Sequence, residues 1–372
     1  MTSIIYVGMD VHTTNYTLCC YSMEDDRFFA EVQVEPDAKN ILKYLARIEK
    51  QQSRDCRIVC GYEAGCLGYS LYHQLHAHGI DCVILAPTTM MTKPGKRIKT
   101  DRRDARLISK CLAFHTYSPV YIPTEVDDAV KEYIRMRDDA NSALARVKQQ
   151  IIAFCIRHGK IHDGKSYWTN KHLEWLSSLD LGNKILSEVL QEYLIRYYQL
   201  QEQVDMYDMR INELAQAEPY RQKVEKLGCF RGIAAHTALS FCVEVGDFRR
   251  FATAQQFASY LGLVPGECSS GDKQQYTGIT KAGNSHLRKL LVETAQVFGR
   301  NATKSGKSVA LKERQAKCDS LTVAYADKAN ARLKKKYFKI AMRSKVNIAK
   351  TAVAREMACF IWGMMTDNIS CA

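Results

Sequence analysis

The chain has 372 residues, room for two or three domains at roughly 100–200 residues each. Hydrophobic residues at 46% and charged residues at 25% exclude a wholly disordered chain, and the longest apolar runs are far too short to span a bilayer. Lys and Arg number 53 against 40 Asp and Glu, a net charge of +13, which favours a polyanionic partner, nucleic acid ahead of an anionic membrane.

Residues 3–9 are a β-rich run that ends at Asp10. That acid arrives before a secretory apolar core can form, which points to a cytoplasmic protein. Residues 15–22 and 28–34 alternate as a second and third strand around the polar turn Glu24-Asp25-Asp26, an antiparallel meander. The spacing of Ile41, Leu45 and Ile48 predicts a helix over 38–51. Residues 57–62 form a fourth strand that runs into Glu63. A helix follows through Leu71 and Leu75 to Gly79, then a fifth strand over 82–86, stopped by Pro87. A basic loop leads to a helix opening near Thr100. Three strands, then helix, strand, helix, strand and helix, is the order of an RNase H-like α/β domain.

Residues 126–157 form a long helix whose apolar positions advance by fours and threes, with Arg137 off the pattern. Leu186, Leu190, Tyr193, Tyr197, Leu200, Val204, Tyr207, Ile211 and Leu214 repeat that step without a break, the signature of a coiled-coil seam. The two helices form either an antiparallel hairpin, joined by a polar connection over 158–182, or a contact between subunits. The division expected is 1–125 α/β, 126–218 coiled-coil dimerisation region and 219–372 a mainly α domain. That last part opens on a helix-hairpin-helix outline with a helix through Ala238 to Val245, an outline that grips backbone phosphates on main-chain N–H groups. A helix over 254–263, a loop over 264–283 and a helix over 284–299 follow. Residues 300–355 hold sixteen Lys and Arg against three Asp and Glu, interleaved with Tyr325, Tyr337 and Phe338, a composition that suits nucleic-acid contact. The 14 cysteines include no Cys-x-x-Cys pair and read as reduced small hydrophobes rather than a zinc or redox site.

Four acids carry the chemistry. Asp10 and Glu63 end strands, and Asp101 and Asp104 stand three apart at a helix start, so both project from one face. Each has an ordinary role taken singly: turn residue, helix cap, first-turn acid. Together they form a set that repels itself unless a divalent cation neutralises it. An all-oxygen set suits Mg²⁺ or Mn²⁺, and a metal pair serves phosphoryl transfer. Lys93, Lys96, Arg97, Lys99, Arg102, Arg103 and Arg106 crowd around the Asp pair, as a phosphate backbone would require.

Gly8-Met9-Asp10-Val11-His12, Tyr62-Glu63-Ala64-Gly65 and Lys99-Thr100-Asp101-Arg102-Arg103-Asp104-Ala105 resemble the Asp-Glu-Asp-Asp motif of the insertion sequence 110 family of transposases, whose N-terminal domain is RuvC-like. Leu261-Gly262-Leu263-Val264-Pro265, Ser269-Ser270-Gly271, Gly278-Ile279-Thr280-Lys281-Ala282-Gly283-Asn284 and Leu287-Arg288-Lys289-Leu290-Leu291 are similar to that family's C-terminal transposase domain. One departure is Cys229-Phe230-Arg231-Gly232-Ile233, where the family has a Pro-Gly-Ile-Gly-type turn.

The resemblance implies a DNA recombinase of a prokaryotic, nucleoid-associated kind that uses the four acids as metal ligands. It implies Ser270, before Gly271, as a nucleophile forming a phosphoserine link to DNA, with Ser269 as the fallback. It further implies guidance by a structured non-coding bridge RNA pairing with donor and target DNA. A dimer of dimers is also implied, each active site sharing one subunit's acids with another's serine. Lys281, His286 and Arg288 are candidates to hold the phosphate, although His286 reads better as a plain helix-surface histidine. Lys334, Lys335 and Lys336 are candidates for nucleic-acid contact. Two other readings remain open: a metal-dependent junction nuclease, which needs the acids but no serine, and a non-catalytic nucleic-acid-binding scaffold. No nucleotide-binding P-loop is present, since Gly306-Lys307-Ser308 has Asn301 where the upstream glycine would stand.

Overall fold

The structure is a computed structural model and describes residues 3–52, 56–65, 67–90, 100–267, 276–300 and 306–369, with the side chains of Thr88, Tyr276 and Arg300 left aside. It divides into two compact units, residues 1–122 and 123–372.

In the first unit, β1 (Ser3–Val11), β2 (Tyr16–Ser22) and β3 (Arg27–Val34) form the antiparallel meander, followed by α1 (Ala38–Gln51). β4 (Cys56–Glu63), α2 (Ser70–Ala77), β5 (Asp81–Leu85) and α3 (Asp101–Ala113) follow. The sheet order is β3-β2-β1-β4-β5, with β4 parallel to β1 and β5 parallel to β4. This mixed five-stranded sheet is consistent with an RNase H-like domain. Strand alternation sorts the side chains. Ile5, Val7 and Met9 pack with Ile41, Leu45, Leu71 and Leu75 of α1 and α2, whereas Tyr6 packs on the other face with Ile108 and Leu112 of α3. Asp10 therefore belongs to the α3 face. On β4, Cys60 and Tyr62 join the first layer, so Glu63 falls on the α3 face as well.

The second unit opens with α4 (Glu125–Arg157), α5 (Asn170–Ser177) and α6 (Lys184–Gln216). α4 and α6 run antiparallel: Arg137 meets Asp208 near one end, and Phe154 meets Tyr193 near the other. Leu144, Val147, Ile151 and Phe154 of α4 share one core with Leu190, Leu194, Tyr197 and Val204 of α6, so the seam is buried within the chain. Thr124 and Asn183 cap the two long helices. The connection read as plainly polar folds α5 back over the end of the hairpin, burying His172 and Leu176.

Then come α7 (Arg221–Gly228), α8 (Ala235–Val245), α9 (Ala254–Tyr260), β6 (Pro265–Glu267), β7 (Tyr276–Ile279), α10 (Ser285–Ala295) and α11 (Val297–Arg300). α12 (Val309–Gln315), α13 (Ser320–Ala341) and α14 (Val346–Met365) complete the unit. The stretch 264–283, expected as a loop, carries the two-stranded β6–β7 sheet. The helix expected over 284–299 breaks after Ala295. α14 is buried along much of its length, with Val353, Met357 and Ile361 in a core shared with Leu239 and Phe241 of α8. Among the described residues no helix is long and apolar enough to cross a membrane.

Candidate metal-binding active site

Gly8 sets the geometry of the site. A Cβ there would lie 2.0 Å from the carbonyl oxygen of Ala105 and 2.4 Å from the amide of Ser109, so α3 rests directly on the backbone of β1. Thr100, extended, ends the preceding segment, and Asp101 and Asp104 occupy the first turn of α3, where the helix dipole favours carboxylates. The close approach brings that turn over the carboxyl end of β1. One oxygen each of Asp10 and Asp101 and a ring nitrogen of His12 lie within 4.8 Å of one another. Glu63 is exposed and lies one residue past the Met9–Tyr62 pair, so it neighbours Asp10 across parallel strands.

Asp10 Oδ2 is buried and forms no hydrogen bond; the His12 Nε2 atom stands 3.3 Å away. Burial pushes the Asp10 carboxyl above its ordinary range. His12 opposes the shift, and the nearby charges of Asp104 and Asp101 add to it. A buried, unbonded carboxylate oxygen facing a second carboxylate is costly as it stands. A divalent cation resolves both penalties, so the residues fit one. Asp10 and Asp101 come together, Asp104 acts on Asp10 through its charge, and Glu63 shares their face. His12, which the acid-only reading passes over, joins them; its signal is the Asp-x-His spacing, which keeps both side chains on one side of an extended strand.

The basic surround is described in part. Lys93, Lys96, Arg97 and Lys99 lie outside the described residues. Arg102 and Arg106 both reach Glu31 on β3, at 3.3 and 2.7 Å, while Arg103 is exposed.

Ser269 and Ser270 also lie outside the described residues, but the segment's two ends are fixed. Glu267 pairs with Tyr276, the Thr280 amide donates to Val264 O, and the Lys281 amide donates to Gly262 O. Arg288 Nη1 donates to the carbonyls of Leu261 and Ala282, bracing the same turn, and Lys281 is exposed. On α13, Lys336 pairs with Glu356 and Lys335 is exposed; Lys334 is half-buried.

His286 is not a plain surface histidine. Its Nδ1 lies 2.6 Å from Glu244 Oε1 and its Nε2 2.7 Å from Asp138 Oδ2, so it bridges α8 and α4. Burial alone would lower its pKa; the two carboxylates overcome this and raise it to about 9. Arg137 contacts Asp138 and grips Asp208 of α6 with two hydrogen bonds, of 2.7 and 2.9 Å. His236 Nε2 stands 2.9 Å from Asp138 Oδ1. This network fastens the helical hairpin to the C-terminal helices.

A model described as Transposase IS116/IS110/IS902 family matches residues 225–313, and a DEDD transposase model of the IS110 type matches residues 7–156. The chain is 36% identical over 307 residues to the putative transposase y4qE of Sinorhizobium fredii, spanning 82% of this chain and 75% of that one. It is 32% identical over 340 residues to the transposase for insertion sequence element IS1533 of Leptospira borgpetersenii, spanning 90% and 95%. Against the transposase for IS1111A of Coxiella burnetii the figures are 26% over 271 residues, spanning 69% and 72%. With an RNase H-like sheet beneath a site that suits a divalent metal, and relatives matched along most of its length, the chain belongs to the IS110 family of transposases, enzymes that cut and join DNA.

Proposed function

We propose that this transposase breaks and rejoins donor and target DNA under the guidance of a structured RNA from its element. Its chemistry is divided between the carboxylates of Asp10, Glu63, Asp101 and Asp104 and the hydroxyl of Ser270. The supporting observation is the buried, unbonded Asp10 Oδ2 facing Asp101 and His12. When bound there, a divalent ion, Mg²⁺ or Mn²⁺, supplies Lewis acidity to the reacting phosphoryl oxygens. Ser270 Oγ attacks a backbone phosphorus, and its new O–P bond replaces one P–O bond of the DNA, releasing a DNA hydroxyl. The hydroxyl of the other strand then attacks the phosphoserine, restoring a phosphodiester and freeing the serine. Bond energy is conserved, as a chain without a P-loop requires. Lys281, Lys335 and Arg103, all exposed, suit backbone phosphates.

Subunit assembly is assigned to the outer face of α6. The seam is consumed inside the chain, but Ile195, Tyr198, Met206 and Met209 remain 48–68% exposed on one side of that helix. An antiparallel two-fold through Glu202 sets Ile195 opposite Met209 and Tyr198 opposite Met206, a self-complementary stripe for a second copy.

The test of RNA guidance is reconstitution from purified protein, donor and target DNA, a divalent ion and RNA transcribed from the element's flanks. Recombinant product should require all of them and follow re-coded guide segments to new targets. Product formed equally well without the RNA contradicts guidance. Chelation should stop cleavage while DNA binding persists.

A further inference from the structure

We infer that His12 is a nitrogen ligand of the divalent ion at the Asp10–Asp101 site, and that it tilts the site from Mg²⁺ toward Mn²⁺. This rests on the reading of the acidic cluster as a metal site and adds a residue and a selectivity to it.

The geometry carries the inference. Asp10 is the penultimate residue of β1 and His12 the first beyond it, and His12 Nε2 stands 3.3 Å from Asp10 Oδ2. The His12 amide donates to Asn15 O at 2.9 Å, closing the turn into β2 and fixing the backbone from which the imidazole reaches. The ring nitrogen and the carboxylate oxygens of Asp10 and Asp101 fall within 4.8 Å of one another. Ligands about 2.1 Å from one ion stand at most about 4.2 Å apart, so a small rotation of the half-exposed imidazole completes a shared sphere.

An ion pair between His12 and Asp10 is the competing use. The two do stand in ion-pair contact at 3.3 Å, but that contact leaves Asp10 Oδ2 without a well-formed hydrogen bond. Three donor atoms lie within 4.8 Å of one another, and two of them belong to carboxylates. A neutral imidazole contributes a lone pair to an ion among them as readily as the carboxylates do.

The donor set decides the ion. Mg²⁺ is held by oxygen and keeps its water, whereas imidazole suits first-row transition ions. A two-oxygen, one-nitrogen set therefore raises the affinity for Mn²⁺ more than for Mg²⁺.

The experiment is Mn²⁺ binding to the full-length protein, followed by electron paramagnetic resonance with Mg²⁺ competition. Electron spin-echo measurement on the bound Mn²⁺ detects a directly coordinated nitrogen. Wild type should show that nitrogen coupling. His12→Ala and His12→Gln should lose it, and His12→Ala should bind Mn²⁺ roughly tenfold or more weakly, with Mg²⁺ affinity changed less than about threefold. His12→Gln, which offers an amide oxygen, should recover part of the affinity without the coupling. Nitrogen coupling that survives in both variants, or an all-oxygen wild-type spectrum, overturns the role of His12 and leaves the acidic site standing. A wild-type protein that binds no Mn²⁺ overturns the inference and the metal reading together.

Discussion

Gly8 fixes how near α3 comes to the sheet, and with it where Asp101 stands over Asp10. Gly8→Ala adds a methyl group where backbone atoms lie at 2.0 and 2.4 Å. It should cost about 1–3 kcal/mol in denaturant titration and lower cleavage by displacing the helix start. On the proposed metal reading, Asp10→Asn and Asp101→Asn should each cut strand cleavage by roughly a hundredfold or more with the melting transition kept, since each removes a donor oxygen rather than packing. Full cleavage by either variant removes that residue from the site. His286 belongs to stability instead. His286→Ala removes one charged partner from each of Asp138 and Glu244, which keep Arg137 and Arg135, and should cost about 1–3 kcal/mol. Its pKa is raised in the fold to about 9, so its charge stabilises fully below the unfolded value near 6.5 and less as pH rises through about 9. The wild-type melting temperature should therefore fall between pH 7 and pH 10 more steeply than that of His286→Ala. Asp10 and Asp101 were legible because strand end and helix start are local signals. His286 was not, because its partners Glu244 and Asp138 are 42 and 148 residues away and nothing along α10 announces them.

At the scale of elements, the step of four and three marks both long helices correctly, from within a residue or two of their ends. It states that a face is buried and not against what, so the choice between a hairpin and a subunit contact waited for the fold. Leu190→Ala should cost about 2–5 kcal/mol by opening a cavity inside the hairpin, without itself changing the oligomer. Changing Ile195, Tyr198, Met206 and Met209 together to Ser should do the reverse: little loss of helix by circular dichroism, and a smaller mass in light scattering. An unchanged mass would move the assembly surface elsewhere. α5 and the β6–β7 pair escaped the sequence for a physical reason. A strand of three residues or a helix of eight has too few positions for a period to appear.

For the whole molecule, the net charge of +13 and the 300–355 basic stretch foretell a polyanionic partner but no reaction. The proposed reaction draws on two parts that the chain keeps far apart in sequence, the acids by residue 104 and the serine at 270. The acids announce themselves by position on strand and helix. The serine does not, since a Ser-Ser-Gly segment is an ordinary turn wherever no family likeness singles it out. A nuclease with the same acids would hand the phosphate to water, so the fate of that phosphate separates the two chemistries. The direct measurement is trapping on a nicked DNA substrate with divalent metal, followed by protease digestion and peptide mass mapping. The account predicts a DNA-linked peptide carrying the phosphate on Ser270, absent from Ser270→Ala and retained in Ser269→Ala. Cleavage by an active enzyme with no adduct, or a phosphate mapped to Ser269, would contradict it.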